Sequence, residues 1–190
     1  MVGIPSGRLD GAPLTAQDAA APEAVDDPPP FERVYEAHAD AVYRFCLSQV
    51  GRAGLAEEIT ADTFVAAFAA YDRYRPELGG VRPWLFRIAR NTAIDHFRRT
   101  RRARELVARL AGRDRDRAEP VEALVELRED TRRAAAAVSR LSGRDRQLVG
   151  LRVASGLSFA EIAAVVGTAE GAARTATFRA LRRLRGWMEE

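Results

Sequence analysis

The apolar residues of this chain recur at spacings of three and four, and this helical period constrains the fold more than any other feature. The first run contains Phe31, Val34, Tyr35, His38, Val42 and Phe45. Such spacing places side chains on one face of an α-helix. A second run follows a break at Gly51 and Gly54, and a third opens near Pro83, whose fixed φ suits a first helical turn. Since no segment of useful length alternates polar and apolar residues, we predict an all-α fold.

Composition divides the chain into two small helical domains joined by a linker. Residues 1–30 are acidic, rich in Pro and Ala, and are predicted to be a disordered tail. Residues 31–101 form the first predicted domain. Residues 102–130 alternate in charge and contain Gly112 and Pro120, which favours a linker. Residues 131–190 form the second predicted domain, which contains a helix-turn-helix.

The composition also argues against several classes of function. Cys46 is the single cysteine, and His38 and His96 are the two histidines, so neither a disulfide framework nor a zinc site can be assembled. We find no catalytic constellation and predict a non-enzymatic protein without metal or cofactor. No signal-peptide pattern and no run of about 18 apolar residues is present. The prediction is a cytoplasmic protein without membrane insertion.

Net charge is only +3, but the positive charge is concentrated in two stretches. Two separated basic stretches indicate two contacts with a polyanion. The candidate nucleic-acid-binding residues of the first are Arg87, Arg90, Asn91, Arg98 and Arg99. On a helix, Arg87, Asn91 and Arg98 share a stripe opposite Leu85 and Ala89. An asparagine among arginines suits a base edge flanked by phosphates, and a solvated polar face is the alternative.

The second basic stretch lies in a helix-turn-helix pattern. Ser158 and Glu161 have the spacing of a capping box, and Gly167 permits a left-handed turn before the next helix. In such motifs the N-terminal part of the second helix enters the major groove. The candidate DNA contacts there are Glu170, Ala172, Arg174, Thr175 and Arg179. Arg174 is the strongest single candidate, and a helical hairpin that binds no DNA is the alternative.

The second helix carries an acidic face. Glu57, Glu58 and Asp62 lie on its predicted exposed side, where their charge would repel DNA. This face is therefore a candidate protein-docking surface, with an ordinary solvated face as the alternative. Three carboxylates on one helix without a histidine make a poor metal site.

Three segments, taken in order, resemble extracytoplasmic-function (ECF) RNA polymerase sigma factors. They are GLAEEITADTF at 54–64, WLFRIARNTAID at 84–95 and LSFAEIA at 157–163. The resemblance spans about Phe31 to Arg185. It implies a subunit that binds core RNA polymerase and directs promoter recognition, DNA opening and transcription initiation.

The resemblance also implies a role for each helical segment. The helix over 55–68 would dock on the clamp helices of the polymerase largest subunit through Glu57, Glu58, Asp62 and Phe64. The helix over 84–102 would read and open the minus-10 element, with Asn91 beside the pocket for a flipped-out base. The helix over 170–182 would read the minus-35 element. An anti-sigma factor is a further candidate partner.

The chain departs from the family pattern at two places. Ala61 stands where a glutamine is usual, and residues 173–177 replace a pattern of a valine, two basic residues and a leucine. A free-standing helix-turn-helix regulator is one alternative, but it leaves the acidic helix without a role. A sigma-like partner-binding module is another, suggested by the alanine-rich recognition helix. A metal-dependent nuclease is a third, and it lacks converging ligands.

Overall fold

The chain is all-α in a computed structural model, which describes residues 28–111 and 129–189. The first half contains α1 (Phe31–Val50), α2 (Ala53–Tyr71), a 3-10 turn (Pro76–Leu78) and α3 (Val81–Ala111). The second half contains α4 (Glu129–Arg140), α5 (Gly143–Val149), a π-helical turn (Gly150–Ala154), α6 (Phe159–Val166) and α7 (Glu170–Glu189). No strand occurs in the described residues, and the all-α prediction is confirmed.

The linker predicted over residues 102–130 begins inside a helix, because α3 continues to Ala111. Glu129 and Asp130, the last two residues of that prediction, already belong to α4. Residues 112–128, the middle of the predicted linker, lie outside the described residues. The predicted tail also lies outside them as far as residue 27.

The predicted helix boundaries follow local backbone chemistry. Gly51 ends α1 in the left-handed conformation, with φ at 69°, and its N–H donates to the Leu47 carbonyl at 2.8 Å. This arrangement satisfies one of the carbonyls that a helix end leaves without a partner. Ser142 caps α5, because its side chain accepts from the backbone N–H of Asp145 at 3.1 Å. The side chain of Ser142 therefore stabilises the start of α5.

Helices α1, α2 and α3 pack around a shared apolar core. Phe45, Ile59 and Phe86 are fully buried, and the rings of Phe45 and Phe86 meet edge to face at 5.9 Å between centroids. Burial raises the pKa of the Cys46 thiol to about 11, so this thiol stays protonated at neutral pH. Cys46 is therefore a residue of this core.

The second half packs around α7, which contacts α4, α5 and α6. Leu141, Val149 and Ala180 form a small buried cluster of their own. An ion pair between Arg183 and Asp145, 2.5 Å between nitrogen and oxygen, joins α7 to α5. Arginine at position 183 therefore serves the packing of this half.

The two halves are packed against each other. One continuous buried cluster contains Phe45 and Phe86 of the first half and Leu151, Leu157 and Ile162 of the second. Helix α3 contacts α6, and α1 contacts both α5 and the π-helical turn. The sequence predicted two helical domains and a linker, but it did not predict this docking of one on the other.

Candidate nucleic-acid interface

Helix α3 presents a basic stripe to solvent. Arg87, Asn91 and Arg98 are exposed, while Leu85 and Ala89 on the opposite side are buried. The predicted division of this helix into a polar and an apolar face is confirmed. Guanidinium groups beside an exposed carboxamide provide both phosphate-binding charge and a donor and acceptor pair for a base edge.

The other two arginines of the first candidate set have protein partners. Arg90 is half-buried, and its Nε donates to Oε1 of Gln147 in α5 at 2.9 Å. Arg99 lies 4.0 Å from Asp62 of α2, nitrogen to oxygen, with both side chains at least half exposed. Arg90 is therefore held by the second half of the chain, whereas Arg99 remains accessible.

The aromatic residues at the start of α3 are core residues. Phe86 is fully buried, and Trp84 is half-buried with its ring 5.1 Å from Tyr74 and 5.8 Å from Tyr71. They support the start of the helix that carries Arg87.

The predicted protein-docking face on α2 is only partly as expected. Glu57 and Glu58 are exposed, and Asp62 is exposed beside Arg99. Phe64, however, is only 6% exposed, with its ring 4.7 Å from Tyr35. Burial leaves Phe64 little surface with which to touch a partner.

Exposed apolar residues lie beside that acidic face. Val65 is 70% exposed and Phe68 is 64% exposed on α2, and Tyr35 of α1 is 51% exposed. Large apolar side chains in one exposed group mark interaction surfaces. Neither Val65 nor Phe68 was among the residues that the sequence predicted to contact a partner, although Val65 falls between the buried positions of α2.

Helices α6 and α7 form the predicted helix-turn-helix. Ser158 accepts from the N–H of Glu161 at 3.2 Å, and the Glu161 carboxylate accepts from the N–H of Ser158 at 2.7 Å, which completes the capping box. Gly167 adopts φ 74° and ψ 49° in the turn. Ala163 and Ala173 are buried where the helices cross, and small residues allow that close approach. The predicted capping box and left-handed turn are confirmed.

The N-terminal half of α7 exposes the second candidate set. Glu170, Ala172, Arg174, Thr175 and Arg179 are all exposed. Arg174 pairs with Glu170 at 2.7 Å, and its guanidinium lies 5.3 Å from the centroid of the Phe159 ring. These contacts orient Arg174 at the surface.

Ala176 has a different environment from its exposed neighbours. It is half-buried and packs against the shared core. Ala176 lies within residues 173–177, where the sequence departs from the family pattern. Its packing gives Ala176 a structural role within α7.

Over residues 28–111 and 129–189, no group of three or more His, Cys, Asp or Glu side chains could hold a metal ion. None of the helices in those two ranges combines the length and apolarity that a membrane crossing requires.

Comparison with known families supports the two-part organisation. The family described as Sigma-70 region 2 matches residues 34–103, and the family described as Sigma-70, region 4 matches residues 131–184. We refer below to these two parts as region 2 and region 4. The first carries the α3 stripe and the second carries the helix-turn-helix.

Several curated relatives are sigma factors. The ECF RNA polymerase sigma factor SigD of Mycobacterium tuberculosis (strain H37Rv) is 33% identical over 187 residues, which cover 95% of this chain and 86% of SigD. RNA polymerase sigma factor CarQ of Myxococcus xanthus is 32% identical, with 84% of this chain and 90% of CarQ covered. The ECF sigma factor BldN of Streptomyces coelicolor is 33% identical over 81% of this chain, which spans 58% of BldN.

Solved structures show the same fold. The sigma factor RpoE of Bartonella quintana, in complex with the anti-sigma factor NepR, gives a TM-score of 0.65 at 25% identity, covering 84% of this chain and 96% of that chain. CnrH, in complex with the cytosolic domain of CnrY, gives a TM-score of 0.60 at 27% identity, covering 84% and 87%.

An all-α chain with an exposed basic stripe in region 2 and a helix-turn-helix in region 4 has the architecture of a promoter-recognition subunit. The chain belongs to the ECF RNA polymerase sigma factors, the class of protein that directs transcription initiation.

Proposed function

We propose that this chain binds core RNA polymerase and directs promoter recognition, DNA opening and transcription initiation. The observation that carries the proposal is the presence of two exposed basic surfaces, on α3 and α7, within matches to region 2 and region 4 in that order. Phosphate contacts supply affinity and base contacts supply sequence specificity. Two such surfaces on one chain suit a promoter with two separate elements.

Region 2 is proposed to read and open the minus-10 element. Arg87, Arg98 and Arg99 hold phosphates, while the exposed Asn91 carboxamide bonds the edge of a base taken out of the stack. Arg90 joins this set when it leaves Gln147. The unit is proposed to comprise residues 31–101, and residues 102–130, which include the end of α3 and the start of α4, connect it to the next.

Region 4 is proposed to read the minus-35 element with residues 131–190. Helix α7 enters the major groove, where Arg174 and Thr175 face base edges beside Glu170 and Ala172, and Arg179 binds phosphate. Bidentate pairing with guanine is the strongest contact that an arginine makes to a base edge. The proposed specificity of this helix therefore centres on Arg174.

Polymerase binding is proposed to occur on α2. Glu57, Glu58 and Asp62 provide charge complementarity, and the exposed Val65 and Phe68 provide apolar contact area. In this arrangement Phe64 supports the surface from below. An apolar centre with a charged rim is the usual anatomy of a protein interface.

The chain is proposed to act in the cytoplasm and to carry out no chemistry of its own, because the polymerase performs nucleotide addition. An anti-sigma factor is proposed as a further partner. The support is that the similar structure of RpoE was solved with the anti-sigma factor NepR. The residues 1–30 are proposed to form a tail outside both reading units.

Run-off transcription tests the proposal. Core polymerase and genomic fragments are incubated with and without the chain, and we expect new promoter-specific transcripts only in its presence. No new transcript would refute the proposal. Tight binding of promoter duplex without polymerase would instead support a free-standing regulator.

The role of Asn91 is tested on a promoter found in that way. Asn91→Ala should reduce permanganate reactivity of the minus-10 thymines several-fold while leaving polymerase binding unchanged. Arg144→Ala, an exposed arginine of α5 outside both proposed DNA surfaces, is the matched control and should open the promoter normally. Equal opening by the Asn91 variant and the control would contradict the assignment.

A further inference from the structure

The first turns of α7 carry one carboxylate among arginines. Glu170 is the only acidic residue between the start of α7 and Met188, whereas five arginines follow it. A negative charge on a surface that binds phosphates weakens that binding, so its position requires a reason. The positive end of the helix dipole stabilises an acidic residue in a first turn, and this gives Glu170 one role that needs no DNA.

Glu170 also positions Arg174, the residue on which the proposed minus-35 reading centres. Oε1 of Glu170 accepts from Nη2 of Arg174 at 2.7 Å, and the two side chains are 48% and 55% exposed. The centroid of the Phe159 ring lies 5.3 Å from the guanidinium carbon of Arg174. The guanidinium is therefore held at one edge by a carboxylate and on one face by a ring. Its remaining N–H groups can donate in pairs to O6 and N7 of a guanine.

The neighbouring side chains leave base reading to these two residues. Gly171 has no side chain, and Ala172 presents only a methyl group. The Thr175 hydroxyl donates to the Gly171 carbonyl at 2.9 Å, so its hydrogen is not available to a base. Nothing lies within 4 Å of the place where a Cβ at Gly171 would stand, which leaves the space beside Glu170 open. The long polar side chains of the first two turns are therefore Glu170 and Arg174.

The spacing of Glu170 and Arg174 matches the spacing of neighbouring bases. Residues four apart share one face of a helix, and their Cβ atoms stand about 5–6 Å from each other. Successive bases of a strand are about 3.4 Å apart along the duplex. When the N-terminal part of α7 lies in the major groove, the two side chains therefore reach bases that are at most two steps apart.

The chemistry of a carboxylate limits which base edge it can recognise, because an ionised carboxylate only accepts hydrogen bonds. In the major groove guanine presents two acceptors, and thymine presents an acceptor and a methyl group, so both are unfavourable neighbours. Adenine places its N7 acceptor beside its amino group, whereas cytosine offers its N4 amino group alone. Cytosine is therefore the base that fits Glu170.

We propose that Glu170 is a specificity-determining residue of α7, which selects a cytosine within two base steps of the guanine bound by Arg174. The inference rests on the proposed function, because it names the bases that region 4 reads. One oxygen of the Glu170 carboxylate holds Arg174, and the second accepts from the N4 amino group of the cytosine. The same carboxylate thus orients the arginine and reads the neighbouring base.

Selection from a randomised promoter library tests this proposal. The minus-35 element of a promoter found by run-off transcription is randomised, holoenzyme is incubated with the duplexes, and the bound duplexes are sequenced. The parent chain should enrich a guanine and, within two steps of it, a cytosine. We expect the preference for cytosine over the other bases at that position to be about five- to tenfold.

Glu170→Gln tests the assignment by a change of base preference. Glutamine retains a carbonyl oxygen for Arg174, and its side-chain amide suits N6 and N7 of adenine. The base within two steps of the guanine should therefore change from cytosine to adenine, while the guanine is retained. Glu170→Ala should leave that position without a preference. Glu32→Gln, the same change at an exposed glutamate in the first turn of α1, is the matched control and should select the same bases as the parent.

The outcomes separate base reading by Glu170 from a role in helix stability and from the proposed function. If Glu170 only stabilises the start of α7, Glu170→Gln should weaken binding to every sequence by the same factor and leave the selected cytosine unchanged. That result would overturn the proposal, and so would a parent selection without a cytosine within two steps of the guanine. Failure of the unmodified chain to produce transcripts would instead refute the proposed function.

Discussion

The capping box of α6 allows a quantitative test of how the helix-turn-helix is stabilised. Helix α6 has eight residues, and isolated helices of that length are unstable in water. Ser158 and Glu161 satisfy two backbone N–H groups at its start, at 3.2 Å and 2.7 Å. Replacing an N-cap serine by alanine costs about 1 kcal/mol. For a chain of this size that corresponds to a fall in melting temperature of about 2–4 °C.

The experiment compares Ser158→Ala with Ser158→Asn by urea denaturation and by thermal circular dichroism. Asparagine retains an acceptor that caps as well as serine, so we expect the asparagine variant to remain within about 0.3 kcal/mol of the parent chain. The alanine variant should lose about 1 kcal/mol with an unchanged urea m-value. Equal stability of the alanine variant and the parent, or equal loss in both variants, would refute the capping argument.

Two further predictions concern contacts of α6 with its neighbours. Phe159→Leu removes the ring over which the Arg174 guanidinium lies, a cation–π contact of about 0.5–1 kcal/mol. Holoenzyme that contains this variant should bind minus-35 duplex about two- to fivefold more weakly, as measured by fluorescence anisotropy. Equal binding by the variant and the parent would contradict a role for this contact. Burial lowers the pKa of His38 from its ordinary value of 6.5, the charge of Arg82 lowers it further, and the charge of Glu161 opposes these effects. The unfolded chain therefore binds more protons than the folded chain, and the free energy of unfolding should fall as the pH drops below about 6.5. His38→Gln should flatten that fall in thermal melts between pH 7.5 and 5, and equal slopes would contradict the effect of His38.

The local structure was largely predictable because it depends on residues close in sequence. The three-and-four spacing of apolar residues located α1, α2 and α3, and the Ser158 and Glu161 spacing located α6. The polar stripe with Arg87 and Asn91 also follows from helical period alone. Each of these features needs only a helix and its own residues.

The environments of single side chains were less predictable. Phe64 and Phe68 are both aromatic and lie four residues apart on α2, yet one is 6% exposed and the other 64%. The difference depends on where α1, with Tyr35, crosses α2, and the spacing of residues within α2 does not indicate that position. For the same reason the sequence did not show that Arg90 is bonded to Gln147.

The sequence by itself determined the helical class of the fold, the cap of α6, the order of the two regions and the family. Only the tertiary structure decided that these regions share one core, because contacts such as that between Arg82 and Glu161 join residues far apart in the chain. Their free energy arises when two preformed surfaces meet, with apolar area buried and charged donors matched to free carbonyls. The helical spacing of residues identifies each surface separately, but whether the two surfaces fit each other depends on the tertiary structure.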